Sequence, residues 1–228
     1  MQQLLRQLGL RPGWIYEAVV CTSLEGRPHA APAGVATDDC RSLRLDLYDT
    51  SRTLGALLSS GVFVCDLPAG ADTLFRALYA PEELTFARAS RIDAPRLADS
   101  AATIELVVVS TAPRGGLTRV RARVVAVTRH TDVRLINRAE PLLVESLILA
   151  TRIRLAGRET TLAQLDENLR VAEKVAPGSA AAGALRRPGP ARPPPRGAGG
   201  RPPRAAGSPG RGAGGGRRGW DCLSAGAA

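Results

Sequence analysis

The sequence is short of histidine, aromatic residues, paired cysteines and long apolar runs, and each shortage argues against a class of protein. It has two histidines, and 4% of its residues are aromatic. The four cysteines include no Cys-x-x-Cys pair, so we expect no metal site. No run approaches the ~20 apolar residues that cross a bilayer, and the first residues lack the apolar core of a signal peptide. We therefore expect a cytoplasmic protein with reduced thiols and no membrane contact.

Lysine occurs once, at Lys174, and the excess of arginine is concentrated at the end of the chain. Residues 184–228 hold 9 Arg and one acid, net +8, whereas residues 1–183 hold 22 basic and 20 acidic residues, net +2. The same end holds 12 of the 24 glycines and 8 of the 17 prolines. This composition buries too little apolar surface to offset chain entropy, and it predicts a disordered tail. The nearly neutral remainder argues against nucleic-acid binding.

The first two thirds of the sequence alternate short β-branched and aromatic segments with Gly- and Pro-containing turns. Two short helices are predicted among these segments, over residues 52–60 and 72–79, and Gly61 is expected to end the first of them. Such a series is typical of a closed or nearly closed barrel. The six predicted strands cover residues 15–22, 29–37, 42–48, 61–66, 102–110 and 117–128.

Beyond residue 130 the apolar period changes to that of a helix. Residues 137–155 form one predicted helix, which we expect to begin with a capping box made by Asn137 and Glu140. A second helix is predicted over residues 161–175, giving an antiparallel helical hairpin. The predicted division is therefore a barrel domain over residues 1–130, a helical hairpin domain over 131–180, and a disordered Arg/Gly/Pro-rich tail over 181–228.

The segment TSRT places three hydroxyls and one guanidinium at the predicted start of the first helix. Free backbone N–H groups and the positive end of the helix dipole favour an anion there, and the arginine adds a forked donor. The segment therefore predicts a phosphate site formed by Thr50, Ser51, Arg52 and Thr53. The alternative is that Ser51 only caps the helix while Arg52 is solvated.

The predicted second strand, HAAPAGVAT, contains a proline and a glycine, which indicate a bulge, an edge or a close backbone approach. Small side chains at Ala30, Ala31 and Ala33 would let a flat ring lie against the main chain, as flavin binding requires. The alternative is an edge strand that carries only a bulge. His29 could face a ligand as a proton donor, although we favour a local hydrogen bond for this residue.

Together these segments resemble the family catalogued as domain of unknown function 447, within the FMN-binding split-barrel flavoproteins. The resemblance covers about residues 13–176, although family members usually carry Met at the position of Ala33 and Asn near Cys65. It implies a mainly β protein with α-helices, in which an FMN-binding split β-barrel precedes the helical hairpin. One matching motif is the strand with His29, Ala31, Pro32 and Gly34, and the other is the helix with Asn137, Arg138, Ala139, Glu145, Thr151 and Arg152. The candidate FMN-binding residues are His29, Ala30, Ala31, Pro32, Gly34, Thr50, Ser51, Arg52 and Thr53.

The resemblance further implies a homodimer with FMN near the subunit interface. It suggests an FMN-dependent oxidoreductase of a small-molecule substrate, associated with tetrahydromethanopterin-linked or folate-like one-carbon metabolism. No catalytic acid or base stands out in the sequence. Two alternatives stay open. One is a non-catalytic flavin-binding carrier or sensor, and the other is a nucleic-acid-binding barrel that uses the Arg-rich strand at residues 119–129 and the basic tail.

Overall fold

Six antiparallel strands close into a barrel in the computed structural model, which describes residues 2–153 and 157–186. The order around the barrel is first, second, third, eighth, seventh and fourth strand, and the fourth pairs with the first to close it. A separate two-stranded sheet lies between the fourth and seventh strands in the chain. The strands are β1 Ile15–Leu24, β2 Arg27–Ala36, β3 Ser42–Tyr48, β4 Val62–Leu67, β5 Phe86–Arg88, β6 Pro95–Leu97, β7 Ala102–Pro113 and β8 Leu117–Arg129.

Within the described residues, helices precede the first strand, lie between strands and follow the last strand. The two helices predicted within the barrel region are both present, whereas the first helix and the small β5–β6 sheet were not predicted. None of the described helices is long and apolar enough to cross a membrane. The helices are α1 Gln2–Gln7, α2 Arg52–Ser60, α3 Ala71–Tyr79, α4 Ala139–Thr151, α5 Arg158–Val175 and α6 Ala180–Leu185, with a single 3-10 turn at Pro81–Glu83.

The barrel interior is filled by alternate side chains of its strands, and α2 closes one end. Leu43 and Leu45 of β3 point inward, and Leu54 and Leu57 of α2 join the same buried cluster. Gly61 ends α2 in the left-handed conformation at φ 68°, as predicted. Because Leu54 and Leu57 pack into the barrel core and α2 follows β3 closely in the chain, the helix begins at the rim of the barrel.

The outer face of β1, β2 and β4 carries a second buried cluster, because α3 and the β5–β6 sheet cover it. Val19 and Cys21 of β1 pack there with Val64 of β4, under Ala77 of α3 and Leu97 of β6. The barrel wall is therefore buried on both faces in this region, and any polar side chain on its outer face needs partners within the cover.

The helical hairpin is attached to the barrel by Asn137, whose side chain makes three hydrogen bonds. Its amide group donates to the carbonyl oxygens of Ile15 in β1 and Val175 in α5, at 2.7 and 3.0 Å. Its carbonyl oxygen accepts from the N–H of Ala139 at 2.8 Å. The predicted capping box with Glu140 is wrong, since the residue at the helix cap is Arg138 and its side chain makes no capping bond. The side chain of Asn137 instead connects β1 with α5 and with the start of α4.

Replacing Asn137 with alanine is expected to lower the free energy of unfolding by about 2 kcal/mol, because two carbonyls and one N–H at a half-buried junction lose their partner. Urea unfolding followed by circular dichroism measures this loss. Asn137→Asp is the matched variant: it keeps the acceptor for Ala139 but sets carboxylate oxygen against the carbonyls of Ile15 and Val175, so it should be no more stable than the alanine variant. An aspartate variant as stable as the native protein would contradict this role.

Helix α6 lies within the range assigned to the tail by sequence. Ser179 caps it by accepting the N–H of Ala182, and Ala181 and Ala182 are buried against the helical hairpin. The ordered structure therefore extends to residue 186, past the predicted tail boundary at residue 181. The rest of the predicted tail, residues 187–228, lies outside the described residues. The division between a barrel domain and a helical domain stays a prediction.

Candidate functional site

The two segments selected from the sequence meet at the rim of the barrel. His29 Nε2 in β2 lies 2.9 Å from the hydroxyl oxygen of Thr53 in the first turn of α2. The preference for a local hydrogen bond at His29 was wrong, because its partner is 24 residues away in the chain. The contact joins the strand predicted to line a ring with the helix start predicted to hold a phosphate.

The first turn of α2 presents backbone donors that no side chain caps. Ser51 occupies the cap position with an extended backbone, but its hydroxyl makes no capping bond. The N–H of Gly55 bonds to the carbonyl of Ser51 at 3.3 Å. The N–H groups of Arg52, Thr53 and Leu54 precede that bond in the helix and therefore have no acceptor within it. The interpretation of Ser51 as a side-chain cap is thus not supported by the geometry.

The positive charge at this helix start is that of Arg52, while the acid just before the segment, Asp49, accepts the hydroxyl of Thr118 at 2.6 Å. Arg52 is exposed and forms no ion pair within the described part of the chain, whereas Thr53 is buried beside His29. Burial lowers the pKa of His29 below its usual value, and the nearby Arg52 guanidinium lowers it further. A neutral imidazole, a free guanidinium and an open helix start form an arrangement that favours a bound anion.

The barrel is incompletely paired between β2 and β3, directly beside this helix start. Strand β2 pairs with β1 along its whole length, but it pairs with β3 only at Val35–Leu45 and Ala36–Arg44. Among the described strands, none pairs with the β3-facing edge of β2 over residues 27–34. Backbone N–H and C=O groups on such an edge are available to a ligand. The gap thus provides hydrogen-bonding groups for a flat polar molecule, with the helix start next to it.

The predicted ring-lining residues of β2 are divided between its two faces. His29 and Ala31 lie on the face of the barrel interior, because Ala31 is opposite the core residue Val20. Ala30, Pro32 and Gly34 lie on the outer face, where the side chain of Ala30 is buried in the second cluster. Residues on both faces can meet one ligand only at the main-chain edge that they share.

Gly34 has a structural explanation independent of any ligand. A Cβ atom at this position would lie 3.0 Å from Cγ2 of Ile15 in the paired strand, which is closer than ordinary packing allows. The glycine therefore permits the close approach of β1 to β2. Its place in the motif does not require a ligand near its Cα.

The sequence analysis did not select Tyr48, which ends β3 on the other side of the gap. Its side chain is 72% exposed, and it precedes the TSRT segment by one residue, Asp49. An aromatic side chain at a solvent-exposed strand end offers an apolar face to a ligand or a second subunit. The alternation of residues 42–48 places Tyr48 on the polar face, and this signal could have drawn attention to it.

A separate cleft of about 330 Å³ lies on the outer side of the β1–β2 turn, between that turn and the β5–β6 sheet. Its size suits a small molecule. Arg88 and Asp93 line it, and neither forms an ion pair or a side-chain hydrogen bond with the described residues. The other lining residues are Ser23, Gly26, Pro28, Phe86, Ala87, Ala94 and Pro95.

The arginines of β8, on which the nucleic-acid hypothesis depended, face acidic partners. Arg119 makes two hydrogen bonds of 2.6 Å with the carboxylate of Asp46, and this contact lowers the pKa of Asp46. Arg121 lies 3.8 Å from Asp38. The positive charge of β8 is thus partly neutralised by Asp46 of β3 and by Asp38, which precedes β3. Among the described residues, no group of three or more His, Cys, Asp or Glu side chains could hold a metal ion.

The fold is that of the split-barrel flavoproteins. A crystal structure of an FMN-bound protein from Methanosarcina mazei is similar over 79% of this chain and 96% of that chain, with a TM-score of 0.50 and 21% identity. The model of the N-terminal domain of a protein family of unknown function, DUF447, matches residues 16–131, just over half of the chain. The chain therefore belongs to this family, as the sequence motifs indicated.

Other solved structures are similar at a lower level. An FMN-binding protein from Thermus thermophilus with bound p-hydroxybenzaldehyde has a TM-score of 0.45 and 21% identity, over 50% of this chain and 71% of that chain. An NADH:FAD oxidoreductase from Streptomyces globisporus has a TM-score of 0.47 and 19% identity, over 58% and 85%. No curated protein is significantly similar to the chain.

Proposed function

We propose that the protein binds FMN and acts as an oxidoreductase on a small molecule. The observation that carries this proposal is the meeting of the open helix start of α2 with the unpaired edge of β2, joined by the His29–Thr53 contact. FMN needs both features, because it carries a phosphate at one end and a flat polar ring at the other. Membership of the family, and the similarity of its fold to an FMN-bound protein, support the same proposal.

The phosphate would be held by the first turn of α2. Arg52 supplies a forked donor, and the hydroxyls of Thr50, Ser51 and Thr53 lie beside the free N–H groups. His29 has a positioning role, since its imidazole fixes the Thr53 side chain at the rim of the barrel. The residues present thus fit a phosphate monoester.

The ring would lie along the free edge of β2, held by main-chain groups of Ala30 and Gly34 and by the carbonyl of Pro32, which has no N–H. The main chain of Ala31 faces β1, so this residue would meet the ring through its small side chain. Ala30 and Gly34 contribute through the backbone, because the side chain of Ala30 is buried and Gly34 has none. Bound FMN would supply hydride or electron transfer. The protein orients that group and excludes water, and no side chain is assigned as a catalytic acid or base. A pterin or folate-like compound is the proposed substrate class.

We also propose a homodimer in which the flavin lies near the subunit interface. Exposed apolar side chains provide contact surface: Phe75 and Tyr79 on α3 are 61% and 70% exposed, with their rings 5.1 Å apart. Val144 and Leu147 are exposed on α4. Sedimentation equilibrium should give twice the mass of the chain, and a monomer at micromolar concentration would contradict the dimer.

The proposed location is the cytoplasm. The three cysteines in the described residues, Cys21, Cys40 and Cys65, are buried and unpaired, which suits a reducing compartment. Burial raises the pKa of the Cys65 thiol well above its usual value, so this side chain is an inert part of the core.

The absorption spectrum of the purified protein tests the flavin proposal. We expect the visible absorption bands of an oxidised flavin, and release of FMN rather than riboflavin or FAD on denaturation. Bleaching by a reduced nicotinamide, followed by reoxidation with a pterin, would support the oxidoreductase. Stable FMN binding without such turnover would favour a carrier or sensor, and failure to bind added FMN would overturn the proposal.

A further inference from the structure

Two carboxylates on the outer barrel wall hold the β5–β6 sheet in place. Asp66 of β4 accepts the N–H of Leu97, at the end of β6, at 2.7 Å. Glu105 of β7 accepts the N–H groups of Ser90, Arg91 and Ile92, in the loop between β5 and β6, at 2.8, 2.7 and 3.1 Å. Both side chains are buried under the cover that they hold. The sheet is thus attached at its loop and at its last strand.

Asp66 is also connected to the protein surface through one hydroxyl. Thr103 of β7 donates to Asp66 Oδ1 at 2.7 Å, and its oxygen lies 3.0 Å from Nε2 of His130. Asp66 is 0% exposed and Thr103 is buried, whereas His130 is exposed just after β8. The chain of contacts leads from a fully buried carboxylate to an imidazole in solvent.

The hydroxyl of Thr103 has a single proton, and this limits the states of its neighbours. While Thr103 donates to an ionised Asp66, it offers only a lone pair to His130, so Nε2 must carry a proton. When Asp66 is protonated and donates to Thr103, the hydroxyl proton is free to turn toward a bare Nε2 or toward Oγ of Ser100, 3.2 Å away. A proton on Asp66 therefore removes the requirement for a proton on Nε2 of His130, and this links the protonation states of the two groups.

We propose that Asp66, Thr103 and His130 form a proton-linked latch that closes the β5–β6 sheet over the barrel wall. His130 is the port through which Asp66 exchanges its proton with solvent. Opening the latch would release Leu97 and move Ala94 and Pro95, two residues that line the outer cleft. The latch thereby couples access to that cleft to pH, independently of FMN binding.

The pKa of Asp66 determines whether low or high pH favours the closed form of the latch. Burial raises the pKa of Asp66 from 3.8 to about 6, against the lowering effect of its hydrogen bonds to Leu97, Thr103, Ser100 and Cys21. In the open form Asp66 meets water and its pKa returns toward the ordinary value. The closed form therefore binds the proton more tightly, and closure is favoured at low pH and weakened as pH rises through 6.

The other titratable groups around the latch do not titrate in this range. The thiol of Cys21, which contacts Asp66, has a pKa well above its usual value because it is buried. Hydrogen bonds lower the pKa of Glu105 despite its burial, so Glu105 stays ionised. Within the latch itself, partial burial lowers the pKa of His130 below its usual value, and the nearby Arg96 lowers it further.

Hydrogen exchange of the native protein measures the opening of the sheet. Peptides that cover residues 86–97 should lose protection by roughly tenfold between pH 5 and pH 7.5, after correction for the intrinsic exchange rate. Peptides from β8 serve as the internal control and should show no such change. Asp66→Asn should abolish the pH dependence, whereas the control Asp93→Ala, an exposed carboxylate in the same loop, should preserve it.

The two histidines allow a second readout by NMR. In Asp66→Asn, the titration midpoint of His130 should shift, while that of His29, on the inner face of β2, should stay unchanged. Thr103→Val should remove the coupling and leave His130 with the same midpoint whether or not Asp66 is present. Protection of residues 86–97 that is independent of pH in the native protein would overturn the latch. If Asp66→Asn does not fold, an unchanged exchange profile in His130→Gln would overturn the role of His130 as the port.

Discussion

Arg52→Ala is expected to weaken FMN binding by roughly 10- to 100-fold and to leave riboflavin binding unchanged. The guanidinium lies at the open start of α2 and forms no ion pair among the described residues, so a phosphate would be its main partner. A charge-assisted bidentate contact with phosphate contributes about 1.5–3 kcal/mol, which gives the expected factor. Riboflavin has the same ring and no phosphate. The ratio of the two affinities therefore isolates the phosphate contact.

Isothermal titration of the flavin-free protein with each ligand measures this ratio. Arg123→Ala is the matched control, because Arg123 is an exposed arginine on β8 without an ion pair among the described residues. It removes the same charge from the same barrel and should leave the ratio unchanged. Equal losses for FMN and riboflavin in Arg52→Ala would place the arginine near the ring instead, and an unchanged FMN affinity would remove it from the site.

The barrel could be predicted from the sequence because its local signals agree with its tertiary structure. Strand β3 and helix α2 have the predicted bounds, and the β1–β2 turn forms at the predicted place. At that turn Glu25 and Gly26 both adopt positive φ, 52° and 75°, as tight hairpins require. Alternating apolar residues and a glycine at a helix end report such features directly.

The geometry of the candidate site depends on how β2 pairs with β3 and on where α2 packs, and no short sequence pattern predicts either feature. The sequence placed a proline and a glycine in β2 and thereby indicated an edge or a close approach. It could not show that β2 separates from β3 after two residue pairs, since this depends on how the barrel closes. The His29–Thr53 bond likewise connects two segments whose distance is fixed only by the position of α2 at the barrel end.

The network around the β5–β6 sheet was beyond prediction for a related reason. Asp66 and Glu105 occupy positions in apolar strands where a charged side chain usually points to solvent. Both are buried because a short sheet without a strong sequence pattern of its own folds over them. Burial raises the pKa of both carboxyls. At Glu105 three backbone N–H groups and the Ser90 hydroxyl outweigh this effect, whereas at Asp66, which accepts one backbone N–H, burial dominates.

Glu105→Ala is expected to lower the free energy of unfolding by about 3 kcal/mol, because three backbone N–H groups and the Ser90 hydroxyl lose a buried acceptor. Urea unfolding at pH 7 measures the loss. Asp93→Ala removes a carboxylate in the loop between β5 and β6 that has no hydrogen-bond or ion-pair partner among the described residues, and it should cost less than about 0.5 kcal/mol. Glu105→Gln keeps one acceptor oxygen and should fall between the two.

Glu105→Ala also tests why the free energy of unfolding falls at acid pH, a fall that is called the acid limb below. The folded pKa of Glu105 lies below its usual 4.5, so its contribution is complete above that value and is lost as pH falls through the folded pKa. Asp66 acts in the opposite sense, since its raised pKa costs stability as pH rises toward 6. Glu105→Ala should therefore flatten the profile below pH 4.5 and keep the decline between pH 4 and 6. A variant that retains the acid limb would show that other carboxylates cause it.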